Sequence, residues 1–110
     1  MSRYTPPDPP DGLGESGRAL WLEVTHGYQI DHEQDRLQLV QVCRTADLCD
    51  TLQELVATEG PLAESSQGVR THPAVVELRQ QRIVLARLLA ALGVPSAASP
   101  ARGVYAIQGA

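Results

Sequence analysis

Asp31-His32-Glu33-Gln34-Asp35-Arg36-Leu37-Gln38-Leu39-Val40-Gln41-Val42-Cys43-Arg44-Thr45-Ala46-Asp47-Leu48-Cys49-Asp50, continuing through Leu52, Leu55 and Val56 to Glu59, is the stretch that decides the fold. No Gly or Pro interrupts it before Gly60, so it reads as one helix of about 28 residues. Asp31 offers a carboxylate to the free N–H groups at the start, and Gln34, three residues on, reaches back as in a capping box. At 100° per residue Leu37, Val42, Ala46, Leu48, Cys49, Leu52, Leu55 and Val56 share one broad apolar arc. Arg44, Asp47, Asp50, Thr51 and Glu54 gather on the opposite arc, most simply a solvated face with local ion pairs worth little each. An apolar arc this wide suits a helix that packs against more than one neighbour, inside the chain or across a subunit boundary.

Upstream, a first helix opens with Glu15 and Ser16, either of which can cap it; Leu20, Trp21, Val24 and Tyr28 form a stripe on it, and Gly27 is its expected end. Downstream, Pro61 to Thr71 reads as a loop rich in Ser65, Ser66, Gln67 and Gly68. A third helix starts at Pro73, with Thr71 or His72 at the cap, and Gly93 and Pro95 stop it. Leu78, Leu85, Leu88, Leu89 and Leu92 form a leucine seam of near-heptad spacing on that helix. Val75, Val76 and Ile83 lie roughly on its other side, with Arg79, Arg82 and Arg87 around them. The expected class is therefore all-α: three helices dominated by a long antiparallel hairpin, covering residues 15–94.

Both flanks differ from this body. Residues 1–14, with Pro6, Pro7, Pro9 and Pro10 among Asp8, Asp11 and Gly12, predict an extended arm whose order needs a partner. Residues 95–110 predict a flexible tail, with Val104, Tyr105 and Ile107 as a short sticky patch. The start lacks the apolar centre of a signal peptide, and no run approaches the ~18 apolar residues of a membrane span, so a soluble intracellular protein is expected.

Composition narrows the function. Hydrophobic residues make up 43% of the 110, yet aromatics only 4%, with no Phe, so the core must come from Leu, Val and Ala. Thirteen acidic and nine basic residues give a net charge of −4, which argues against coating nucleic acid through overall charge. Cys43 and Cys49 lie about 9 Å apart along a helix axis and cannot bridge each other; two small hydrophobes in a reducing compartment is the simpler reading. His26, His32 and His72 lack the i, i+4 pairing of a helical metal site. Without Lys there is no Walker-type phosphate loop, and Ser65 and Ser66 sit in no nucleophile elbow, so neither a catalytic role nor a cofactor is expected. Trp21 and Tyr28 share a stripe with Leu20 and Val24 and read as core rather than as a base-stacking platform.

Three segments in order carry a likeness. Gly17-Arg18-Ala19-Leu20-Trp21 opens the first helix, and Cys43-Arg44-Thr45-Ala46-Asp47 follows Leu39 in the second. His72-Pro73-Ala74 then leads to Glu77-Leu78-Arg79-Gln80-Gln81-Arg82, with the ending Leu85-Ala86-Arg87-Leu88-Leu89-Ala90-Ala91-Leu92-Gly93 and Pro95. Over about residues 13 to 95 the chain resembles the P27 family of phage terminase small subunits, in particular its actinobacterial phage and prophage members. The resemblance implies a non-enzymatic component of a viral genome-packaging machine in the bacterial host cytoplasm. Such a subunit assembles into rings, recognises viral double-stranded DNA and regulates the terminase large subunit. Many relatives have a more basic N-terminal arm, where this chain has Arg3 followed by Asp8 and Asp11.

From the residues themselves come the candidate sites. Arg79, Arg82 and Arg87 are candidate DNA contacts. Leu48, Leu52 and Leu55, with Leu78, Leu85, Leu88, Leu89 and Leu92, are candidates for the contact between copies, because a helix apolar on two sides is seldom solvated alone. Two rival expectations stand beside the terminase reading: a helical protein–protein adaptor that never touches DNA, and a small dimeric DNA-binding regulator.

Overall fold

The computed structural model describes residues 3–94. Three helices carry it, α1 (Glu15–Gly27), α2 (Glu33–Glu59) and α3 (Pro73–Leu92), with a two-stranded antiparallel hairpin, β1 (Leu62–Ser65) and β2 (Gly68–Thr71), between the last two. The fold is mostly helical, and the segment expected to be a loop is the correction to a strictly all-α class. Pairing runs from Leu62↔Thr71 to Ser65↔Gly68, leaving Ser66 and Gln67 as the turn. Gly68 takes φ +108°, open to glycine, and the Ser65 hydroxyl accepts from Gln67 N at 3.2 Å and donates to Gly68 O at 2.8 Å. Pro61 O accepts from His72 N at 2.8 Å, so the ladder closes directly onto the helix start. Polar strands this short carry little hydrophobic alternation, which is why the spacing alone reads as loop.

α2 runs 27 residues and stops at Gly60, whose φ is +86°. The Asp31 cap with Gln34 is not formed. His32 is the N-cap residue with no side-chain bond, and the Asp31 carboxylate instead accepts from the Gln29 amide at 3.0 Å. α3 begins as its sequence implies: Pro73 occupies the first position, and the His72 ring accepts from Ala74 N at 3.0 Å. Gly93, left-handed at φ +92°, ends it.

Glu59 meets His72 and Gln53 meets Arg82, while Leu39 and Leu92 share one core cluster, so α2 and α3 run antiparallel along their length. α1 lies only along the first part of α2, its N-terminus reaching Asp47. The core therefore sits at the open end of the hairpin: Trp21, Val24, Ile30, Leu39, Val40, Val42, Cys43 and Leu92, with Leu20, Tyr28, Leu85, Leu88 and Leu89 packed around it. Beyond Asp47 the two long helices and the β-hairpin extend as an arm that α1 does not cover. The buried side of α2 is set by both neighbours, so Leu39, Val40 and Cys43, absent from the apolar arc drawn by periodicity, are buried, whereas Leu37 of that arc is 52% exposed.

The N-terminal arm needs no other molecule to be ordered. Tyr4 Oη donates to Thr25 O at 2.9 Å and accepts from Ile30 N at 3.2 Å, and Trp21 Nε1 donates to Pro7 O at 2.9 Å. These bonds strap the proline-rich segment across α1, which corrects the expectation of an arm waiting for a partner. Prolines supply no N–H of their own, so the arm is held by what the helix donates to its carbonyl and by one tyrosine hydroxyl. The tail expected over residues 95–110 lies outside the described residues.

Candidate functional site

The outer face of α3 is built by helical spacing. Val75, Arg79, Arg82, Ile83 and Ala86 recur at four-, three-, one- and three-residue steps and fall on one side, while Leu85, Leu88, Leu89 and Leu92 of the leucine seam turn into the protomer and Leu78 lies between the two sides. Leu78 and Leu92 are buried, and Leu85, Leu88 and Leu89 are half-buried against the core. That seam closes the hairpin of its own chain. Leu78 and Leu92, enclosed by their own chain, have little surface left for a second copy, whereas the half-buried Leu85, Leu88 and Leu89 keep part of theirs. Of the α2 candidates, Leu48 and Leu55 are exposed and Leu52 is half-buried. With Leu37 they make an outward stripe, since steps of eleven and seven residues are close to whole turns.

Arg79, Arg82 and Arg87 are all exposed. Arg82 Nη2 donates to Gln53 Oε1 at 3.0 Å, a neutral partner. Among the described residues no carboxylate is within ion-pair reach of any of the three; the ion pairs present are His32–Asp31, Arg36–Glu33 and His72–Glu59. The one acid of α3, Glu77, points away and accepts from the Gln81 amide at 2.7 Å. Arg79 and Arg82 are brought together over a groove of about 380 Å³, whose floor is Val75, Leu78, Ile83 and Ala86. Arg87 is placed a turn further along and does not line it.

Asp47, read from the sequence as part of a solvated charged arc, has a different task. Its carboxylate accepts from Gly14 N and Gly17 N, each at 2.7 Å, and so caps α1 from a neighbouring helix. A negative charge at a helix N-terminus also complements the helix dipole. α1 has no side-chain cap of its own; Gly14 is the N-cap residue, where Glu15 or Ser16 was expected to serve. The signal was legible only as a pair: glycines three apart at the head of one helix, and a half-buried acid four residues after the buried Cys43 on another.

Cys43 is buried and Cys49 half-buried, both free. Burial, with the Asp47 charge adding to it, pushes the Cys43 thiol up to about 12. The folded state thus keeps a proton that the unfolded thiol gives up near its ordinary pKa of about 8.5, so this group makes the fold less stable as pH rises from there toward 12. Accordingly, a thiol reagent at pH 8 is expected to label Cys49 in the native protein and Cys43 only after urea unfolding. Peptide mapping of the labelled protein checks this; rapid native labelling of Cys43 would contradict the packing of α1 on α2.

The histidines remain apart. His26 and His32 are exposed, while His72 accepts from Ala74 N through Nδ1 and donates from Nε2 to Glu59 Oε1 at 2.8 Å, which uses both ring nitrogens in joining α2 to α3. Among the described residues no group of three His, Cys, Asp or Glu side chains is placed to hold a metal ion. No described helix is long and apolar enough to cross a membrane. A second hollow of about 320 Å³ lies where the arm crosses the α1–α2 turn, and its charges are mixed: Arg3 and Arg36 against Asp31 and Glu33.

No family model, curated protein or solved structure matches this chain.

Proposed function

We propose that this protein is a non-catalytic assembly component of a phage DNA-packaging machine, a terminase small subunit acting in the cytoplasm of a bacterial host. The sequence resemblance names the role. The observation that carries it is the exposed apolar stripe of Leu37, Leu48 and Leu55 along α2, left uncovered by the core. Burying it on a neighbouring copy at roughly 25 cal/mol per Å² would stabilise an oligomer, and a head-to-tail contact repeated around an axis closes a ring. Such a ring would multiply weak phosphate contacts from Arg79, Arg82 and Arg87, which lets a net-acidic chain hold DNA, and would present the same faces to the terminase large subunit.

Native mass by light scattering behind size exclusion tests the assembly. The expected result is an oligomer of many copies that Leu48→Asp with Leu55→Asp converts to monomer with unchanged helicity. A monomeric wild type overturns the reading, and a dimer moves it to the small regulator. In a mobility shift, loss of a salt-sensitive DNA complex on substituting the three arginines supports the DNA contact.

A specific observation favours a second reading, the adaptor without DNA contact: the floor between Arg79 and Arg82 is apolar, with Ile83 47% exposed. Absence of any DNA shift at low salt together with a retained oligomer would select it.

A further inference from the structure

The outer face of α3 combines two properties that rarely serve one solvated surface. It is a groove floored by Val75, Leu78, Ile83 and Ala86, and its rim carries two guanidinium groups, Arg79 and Arg82, that no carboxylate of the described residues pairs with. Arg87 adds a third cation further along the helix, in a chain whose net charge is −4. Phosphate contacts use guanidinium groups but leave an apolar floor uncovered, and interfaces with nucleic acid are strongly polar. A protein segment uses both: apolar side chains fill the floor, and its acids meet the arginine forks, the geometry in which guanidinium and carboxylate bind most strongly.

We infer that this groove is the docking site for an acidic amphipathic helix of another protein. Val75 to Ala86 spans about 16 Å, which is three turns of a partner helix. Apolar residues of that helix at i, i+3, i+4 and i+7 lie on Val75, Ile83 and Ala86, the small Ala86 letting the two backbones approach. Glu or Asp on its flanks pairs with Arg79 and Arg82. The inference rests on the adaptor reading and not on the packaging role, so an absent DNA shift leaves it standing.

Its test is fluorescence anisotropy with labelled designed peptides: a helical peptide with Leu at i, i+3, i+4 and i+7 and Glu on the flanks, the same peptide with Lys for Glu, and a DNA duplex. The acidic peptide is expected to bind and the Lys peptide to bind about tenfold more weakly or not at all. Ile83→Ser should weaken the acidic peptide by about tenfold without altering the salt dependence, because it removes only apolar contact. Arg79→Glu with Arg82→Glu should invert the preference, so that the Lys peptide becomes the better ligand. These three side chains are exposed, and circular dichroism confirms that each variant is folded. Failure of the acidic peptide to bind, equal binding of both peptides, or binding indifferent to Ile83→Ser overturns the inference. DNA bound through Arg79 and Arg82 without competition from the acidic peptide assigns the face to nucleic acid and overturns it as well.

Discussion

Gly17→Ala is expected to destabilise the fold by about 2 kcal/mol or more, although replacing Gly by Ala in an open helix usually stabilises by up to about 1 kcal/mol. A methyl group at position 17 would stand 2.7 Å from Cys43 O, a backbone atom that cannot move without bending α2, and closer still to the Asp47 carboxylate. Asp47 could swing aside, but it would then give up the bonds from Gly14 N and Gly17 N that cap α1. Either response loosens the seam on which α1 sits. Gly27→Ala is the internal control: it is in the same helix, its Cβ meets nothing within 4 Å, and it should be neutral or slightly stabilising. Asp47→Ala should cost on the order of 1–3 kcal/mol through the two lost charge-assisted bonds, and adding it to Gly17→Ala should cost less than the sum, since the two substitutions strike one contact. Urea unfolding followed by the fluorescence of Trp21, the single tryptophan, measures all four. Equal stability of Gly17→Ala and Gly27→Ala would mean that α1 does not approach α2 this closely.

The hairpin was legible because its signals are local. Gly60, Pro73 and Gly93 mark ends that any backbone must respect, and α2 and α3 stop and start at them. Which side of each helix is buried was only half legible, because periodicity finds an apolar arc without saying what lies against it. On α3 the leucine seam is the larger of two apolar sides and turns inward; on α2 the partner α1 selects Leu39, Val40 and Cys43, and Leu37, Leu48 and Leu55 are left outside. The β-hairpin was missed for lack of alternation, and the capping by Asp47 because it joins residues 30 and 33 positions apart. The arm differs for a related reason: low hydrophobicity predicts that a segment cannot fold by itself, yet three hydrogen bonds hold this one, Tyr4 donating to Thr25 O and accepting from Ile30 N and Pro7 O accepting from Trp21 Nε1.

The arginines of α3 were legible as residue types, and the groove between them was not. Their spacing put them near Val75, Val76 and Ile83, but only the inward turn of the leucine seam shows that this second apolar side stays open to solvent. Two apolar sides on one helix, read from spacing alone, point to self-association. In the folded chain they separate into one side that completes the core and one that faces outward with positive charge, which directs attention from contacts between copies toward a ligand of opposite charge.

Trp21→Ala should bring the largest loss of stability of any single truncation, about 3–5 kcal/mol. In a domain of this size that is a large share of the total, so a substantial unfolded population is expected at room temperature. Trp21 is fully buried at the centre of the cluster formed by Val24, Leu39, Val42 and Cys43, with no other aromatic ring among the buried core residues to fill the void. Its indole also holds the arm, through Nε1 to Pro7 O. Trp21→Phe separates the two contributions, for it keeps most of the apolar volume while removing the donor. The expected outcome is a smaller loss, roughly 1–2 kcal/mol from one hydrogen bond and a modest cavity, accompanied by faster chymotryptic cleavage after Tyr4 and Leu13 in a protein whose helicity is intact. Circular dichroism in urea gives the stabilities, and timed proteolysis with mass spectrometry gives the release of the arm. If Trp21→Phe left cleavage at Tyr4 unchanged, the arm would be held chiefly by the hydroxyl of Tyr4 on Thr25 O and Ile30 N, and Tyr4→Phe would then be the substitution that frees it.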